Sequence, residues 1–350
     1  MQHTLQVRAF FFNAKTDYLP YYKNFKMKLD AEAKASDILK EIKTANENFA
    51  YPEEKLAFRI NNLVVTGEES IGKIVEKCGN TLQIDPVTSY RSDHCLIIND
   101  SDFNAHFEKI LAPYATEEDK AYYESLYPLH YASESSIFNR DYCGDAILLT
   151  AFRMIENDTE HKDAILQAID NEDALWSCEY EDNMFEPAPY DVDIESLKKL
   201  VRAQPTSGLC EKIMQKCMQK RNKPQEVDSL EGANVAYFLG DAKDAPSKQE
   251  LFAQIEAAGG KVVRFDRESK RAGATLLDAN NTIAYKKAAT TLLDALDSGA
   301  DVLVCADEAA LALFTEHKGM LQKEIGREIP LAVISLERFN TLAQTKAEVA

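Results

Sequence analysis

"NVAYFLGDAKDAPSKQELFAQIEAAGGKVVRF", residues 234–265, holds a strand, a turn, a helix and a second strand in succession. "NVAYFLG" is an unbroken apolar run ending in glycine, which suits a strand buried on both faces. Ser247 precedes "KQELFAQIEA" as an N-cap, and glycines follow the helix where it should stop. "KVVRF" then resumes strand character. The alternation continues downstream: "IAYKKAATTLLDALDSG" reads as a helix, "DVLVCA" as a strand, "DEAALALFTEHKG" as a helix and "PLAVISL" as a strand. Strands separated by helices need crossover connections, so residues 232–350 are predicted to form a parallel sheet with helices on its faces.

Upstream the pattern changes. "QKRNKPQEVDSLEGAN" is polar and carries a proline, which marks a linker over residues 223–231. Residues 101–222 show helical periodicity. "DAILLTAFRMIEND" places Ile147, Leu148, Ala151, Phe152 and Ile155 on one stripe, and "EHKDAILQAI" and "IESLKKLVRA" behave likewise. Prolines 113, 128, 187, 189 and 205 fall between these segments, where helices end. In residues 1–100, "TLQVRAFFF" and "YYKNFKMKL" alternate on either side of the turn-rich "NAKTDYLP". "KASDILKEIKTANEN" follows, with Ser36 as its expected N-cap and Ile38, Leu39 and Ile42 on one face; "LAFRINNLVVTG" and "NTLQIDPV" are strand-like. Two strands, a helix and further short strands predict a β-grasp domain. The expected class is therefore α+β for the first two parts, a β-grasp domain and a helical domain, and α/β with a parallel sheet for the last.

Composition narrows the function. The 350-residue chain carries 45% hydrophobic and 28% charged residues, as a packed globular protein does. Its formal net charge of −18 is repelled by phosphate backbones, so no nucleic-acid partner is expected. No run of 18 apolar residues suggests a membrane span. The opening "MQHTLQVRAFFFNAK" lacks the basic start and apolar stretch of a signal peptide, so a cytoplasmic place is expected, with room for peripheral docking at the inner membrane.

Seven cysteines stand at positions 78, 95, 143, 178, 210, 217 and 305, an odd number without any C-x-x-C, which argues against a disulfide framework. Cys210 and Cys217 would lie about 10 Å apart along a helix axis, too far to share one metal ion. Cys305 ends a strand before a helix, where a thiol is activated, but Asp307 and Glu308 oppose that. The six histidines are dispersed and are expected mostly at the surface. "YFLGDAKDAPSK" has neither G-x-G-x-x-G nor a P-loop. A small ligand would still be expected at the carboxyl edge of the parallel sheet, near Gly240, Asp241 and Gly273.

The β-grasp-then-helical order, with "VRAFFFNAKTDYLPYYKNFKM", "LAFR", "RDYCGDAILLTAFRMIEND" and "ALWSCEYEDNMFEPAPYDVDIESLKKL", resembles the iron–sulfur subunit of succinate dehydrogenases and fumarate reductases over about residues 4–200. The last third, through "VAYFLGD", "RAG" and "VLVCADEA", resembles the cysteine-rich, CCG-type domain of heterodisulfide reductases. Fusion of the two halves is similar to thiol:fumarate reductase. The resemblance implies a 2Fe–2S ferredoxin-like β-grasp, an α-helical ferredoxin-like middle domain and docking on a flavoprotein or another respiratory-complex subunit.

The ligand positions depart from that pattern. After "LAFR" they fall on Asn62, Gly67 and Ser70, with Ile84 in fourth place. "YYESLYPLHYAS" has no cysteine where the family has three. Cys178 remains in the third motif, but Met184 and Ala188 hold the next two positions. In the last third Asp241, Arg271 and Ala272 replace cysteines, and Cys305 survives with Glu308 in its partner's place. Iron–sulfur clusters need three or four thiolates each, so no cluster or other cofactor is expected. Met184 and Phe185 should fill core volume instead. The expected function is that of a cluster-less interaction or scaffold protein. The alternatives are a redox subunit whose iron–sulfur site is atypical or completed by a partner, and a small-ligand or thiol enzyme using the C-terminal domain.

Overall fold

The computed structural model describes residues 2–157, 160–202, 227–243 and 245–349. Cys210, Cys217 and residues 223–226 of the expected linker lie outside the described residues. The chain divides into two compact units, Met1–Gln204 and Pro205–Ala350.

The first unit opens with β1 (Gln2–Phe11), β2 (Tyr21–Asp30), α1 (Ala35–Ala45), β3 (Ala57–Ile60), β4 (Leu63–Thr66), α2 (Ile71–Cys78) and β5 (Thr81–Pro86). The strands form one mixed sheet in the order β2-β1-β5-β3-β4, with β1 antiparallel to β2 and parallel to β5. With α1 between the two hairpins, this is a β-grasp arrangement. The period-two pattern explains it: Leu5, Val7, Ala9 and Phe11 are buried, and they share a core with Ile38, Leu39 and Ile42 of α1. Each such aliphatic side chain contributes roughly 1.5–3 kcal/mol when fully buried.

The start of α1 differs from expectation. Its N-cap is Lys34, whose N–H donates to the Asp37 carboxylate at 2.9 Å, rather than Ser36. Ser36 and Ala35 instead donate their backbone N–H groups to the carbonyls of Gly67 and Glu69. A neighbouring segment thus satisfies the first two helical donors.

A small hairpin follows, β6 (Ser92–His94) and β7 (Ile97–Ile98), and then α3 (Ser101–Ile110), α4 (Glu117–Ser125), α5 (Tyr127–Ala132), α6 (Ser135–Phe138), α7 (Asp145–Asn157), α8 (Lys162–Ile169) and α9 (Asp191–Arg202). Ala57, Val64 and Val87 join the core built by these helices, so the boundary expected near residue 100 lies inside one compact unit. No described helix is long and apolar enough to cross a membrane.

The second unit contains β8 (Asn234–Phe238), α10 (Lys248–Ala257), β9 (Lys261–Val263), α11 (Asn281–Asp297), β10 (Val302–Cys305), α12 (Glu308–Glu316), α13 (Lys318–Ile325), β11 (Ala332–Ser335) and α14 (Leu336–Val349). Its four described strands are parallel in the order β11-β10-β8-β9. Ser247 caps α10 as expected: its hydroxyl accepts from Glu250 N–H, and the Glu250 carboxylate accepts from Ser247 N–H. The chain first moves from β8 to β9 and then returns to the other side of β8, which puts the topological switch point between β8 and β10.

Candidate functional site

The loops after β8 and β10 meet at that switch point. Gly240 has φ +55°, and a Cβ there would lie 2.5 Å from Asp307 Oδ2, so the turn needs glycine for conformation and for space. The Asp241 N–H donates to the same Asp307 oxygen at 3.1 Å, while the Asp241 carboxylate pairs with Arg271 at 3.1 Å. Asp307 Oδ1 accepts the Ala310 N–H at 3.0 Å and so caps α12. Cys305 is buried beside these groups, its sulfur 3.2 Å from the Asp307 carbonyl oxygen. Burial pushes its thiol up, and the Asp307 charge adds to the effect. A thiol held protonated is a poor nucleophile.

Of the residues expected here, the structure gathers Gly240, Asp241 and Arg271 with the Cys305–Asp307 turn. Glu308 is exposed at the start of α12. Gly273 (φ +91°) lies against the backbone of Ala284 and the Cβ of buried Lys287, and Ala272 is buried next to it. Asp307 ties the two loops together, a structural task that its acidity alone does not announce. An Asp between a strand and a helical run carries the N-cap signal that would have found it. Asp307→Ala should therefore cost about 1–2 kcal/mol in chemical denaturation, and Asp307→Asn only part of that, since asparagine also caps but its amide nitrogen cannot accept the Asp241 N–H.

In the first unit the expected ligand positions are dispersed into separate structural tasks. Asn61 and Asn62 both have positive φ and form the two-residue turn of the β3–β4 hairpin. Gly67 is buried, and a Cβ there would lie 2.6 Å from Leu56 Cδ2. The Ser70 hydroxyl caps α2 by accepting from Lys73 N–H. Ile84 is fully buried in the sheet, paired with Ala9 and Ile60. Where "YYESLYPLHYAS" lacks cysteines, rings fill the space: Tyr123 stacks on Phe103 at 4.2 Å and on Phe107 at 4.9 Å, and Tyr127 meets Phe103 edge-on at 5.1 Å.

The third motif divides in the same way. The Cys178 thiol faces the Asp145 carboxylate at 3.5 Å. Met184 forms a parallel bridge with Val64: Val64 N–H donates to Asn183 O at 2.7 Å, and Phe185 N–H donates to Val64 O at 2.8 Å. β4 is a sheet edge, so this short segment closes it. Phe185 is buried in the sheet core, and Met184 packs against the helical one. The Ala188 carbonyl accepts from the Tyr180 hydroxyl at 2.6 Å. Asp182 organises the loop by accepting from the Met184 and Ala188 N–H groups and from Tyr180.

Two buried polar groups border this region. Asp145 accepts from the Tyr142 hydroxyl at 2.5 Å, and burial pushes its carboxyl up. His130 is 5% exposed, its Nε2 is 3.6 Å from Asp102 Oδ2, and its Nδ1 has no hydrogen-bond partner among the described residues. Burial alone would raise the Asp102 carboxyl, but His130, the Tyr131 hydroxyl and the Arg91 guanidinium draw it down to about 2. The expectation of mainly surface histidines fails for two of the six. His130 and His317 are buried, and the other four are partly covered. His130 packs among Phe103, His106 and Tyr131, and His317 against Tyr285.

A cleft of about 230 Å³ lies between the start of α4 and the facing ends of α7 and α8, lined by Thr116, Asp119, Met154 and His161 among others. None of the expected site residues lines it. Among the described residues, no group of three or more His, Cys, Asp or Glu side chains is placed to hold one metal ion. A cluster needs several thiolates around one centre, and Cys178 with Met184 and Ala188 is a donor set that does not fit one.

No family model matches the chain, and no curated protein matches it. Among solved structures, a hypothetical protein from Helicobacter pylori is similar, at 17% identity and a TM-score of 0.49, over 94% of this chain and 70% of that one. At that level the likeness bears on neither family nor function.

Proposed function

We propose that the protein is a cluster-less relative of the iron–sulfur subunit of succinate dehydrogenase and fumarate reductase complexes, joined to a domain like the CCG-type domain of heterodisulfide reductases. It does not carry electrons; it works by contact, docking on a flavoprotein or another respiratory subunit. That partner would hold it peripherally at the cytoplasmic side of the inner membrane. The observation that supports this reading is the reassignment of one motif. Cys178, Met184 and Ala188 serve, in turn, a buried thiol–carboxylate contact, a backbone ladder and a loop hydrogen bond. Loss of ligands removes electron transfer but leaves shape and side-chain patches on which contact depends.

Protein purified without oxygen is expected to be colourless, with iron far below one cluster per chain. A brown product with stoichiometric iron would overturn the non-redox role. Capture with a tagged full-length chain from its own cells should recover a flavoprotein or respiratory subunit. Recovery of neither would remove the docking role.

A further inference from the structure

The first sheet treats its two edges differently. β4 is covered by residues 183–185, which come from the acidic stretch "EYEDNMFE" (179–186). Two lysines of α2 hold that cover: Lys73 pairs with Glu186 at 2.6 Å, and Lys77 donates to the Phe185 carbonyl and sits 4.9 Å from its ring. The opposite edge, β2, is ten residues long and, among the described residues, pairs only with β1. Apart from the turn at Asp30, no backbone hydrogen bond from β2 reaches any other segment among the described residues.

That open edge is basic in an acidic protein. Residues 2–30 carry five Lys/Arg and two Asp/Glu, a net of +3, so the rest of the chain carries −21. Lys26 and Lys28 are exposed on one face, opposite Gln6 and Thr4. Edge lysines are a common guard against unwanted strand pairing. A guard does not account for the apolar tip where β2 begins, with Tyr18 95% and Leu19 67% exposed and Tyr21 44% exposed.

We infer that the free edge of β2 is a strand-addition site for an extended acidic segment of a partner protein that carries an apolar anchor. The backbone groups of β2 supply the ladder, Lys26 and Lys28 select acidic side chains, and the Tyr18–Tyr21 tip receives the anchor. The molecule contains the template for such an occupant, since "EDNMFE" caps β4 by the same means: a backbone ladder, lysine contacts to its acidic end and a buried Phe. The inference rests on the contact role proposed above and names the surface that performs it.

The probe is a labelled peptide with the sequence of residues 179–188, EYEDNMFEPA, added to the full chain. It is expected to bind saturably and to slow amide exchange across β2 while leaving β4 unchanged. K26E/K28E should weaken it at least about fivefold, as two attractions become repulsions. Both lysines are exposed, so retained circular dichroism will show that the variant folds. Absent or charge-insensitive binding, or protection confined to β4, would overturn the inference. So would preferential binding to vesicles of phosphatidylcholine and phosphatidylserine. Partner capture separates the two ideas. If K26E/K28E still captures the flavoprotein, this surface is wrong and the contact role stands. If the wild-type chain captures none while the peptide binds β2, the flavoprotein assignment fails and the edge site stands.

Discussion

Gly144→Ala is expected to destabilise the first unit by about 2–4 kcal/mol, the sum of a left-handed backbone imposed on a Cβ residue and an overpacked contact. Gly144 has φ +91°, and a Cβ would come within 2.3 Å of His130 Nδ1 and 2.7 Å of Cε1. The ring cannot retreat easily, because Phe103 and Tyr131 meet it edge-on at 5.2 and 4.7 Å and Asp102 lies beyond Nε2. Urea denaturation checks the size. In a double-mutant cycle, adding His130→Ala should restore part of the loss, because that change removes the ring the new methyl strikes. A Gly144→Ala protein within about 0.5 kcal/mol of wild type would show that this packing is looser than described, since surface changes stay inside that range.

The second large effect is expected at Arg59. Its guanidinium donates through Nε to Val87 O at 2.8 Å, through Nη1 to Asn62 O at 2.7 Å and through Nη2 to Tyr131 O at 2.8 Å. It thereby joins β3 to its own hairpin turn, to the end of β5 and to α5. Burial lowers its pKa, while Glu134 and Asp85 partly compensate. Arg59→Met keeps most of the volume and leaves three carbonyls without their charged donor, which should cost about 3 kcal/mol. Arg59→Lys should recover little of that, because an ammonium point charge cannot span three acceptors in one planar fork. Equal stability of the Lys variant and wild type in the same denaturation would sink the bridging role.

Much of the fold was legible from local pattern. The alternation in "TLQVRAFFF" marked a strand, and its alternate residues Leu5, Val7, Ala9 and Phe11 are buried together. Ser247 was readable as a cap because its whole function lies within three residues. What could not be read depends on distant neighbours. Ser36 lost the cap to Lys34 because the carbonyls of Gly67 and Glu69, some thirty residues on, take the first helical donors. His130 carries no local sign of burial; the aromatic residues that enclose it come from α3 and α5. At the candidate site Asp241 and Arg271 were visible as substitutions, but not that they pair with each other across thirty residues. Local patterns fix which residues face inward; they carry no information about which partner arrives there.

The cover over β4 has a consequence for how the chain is made. Val64 waits for Met184, so the first sheet remains unfinished on the ribosome until 120 further residues have been synthesised. During that interval the nascent chain presents two bare strand borders rather than one, and the later border is sealed by the protein's own acidic cord. Synthesis that stops early, between Cys95 and Asp182, would release a product with both borders open and a tendency to pair with its neighbours.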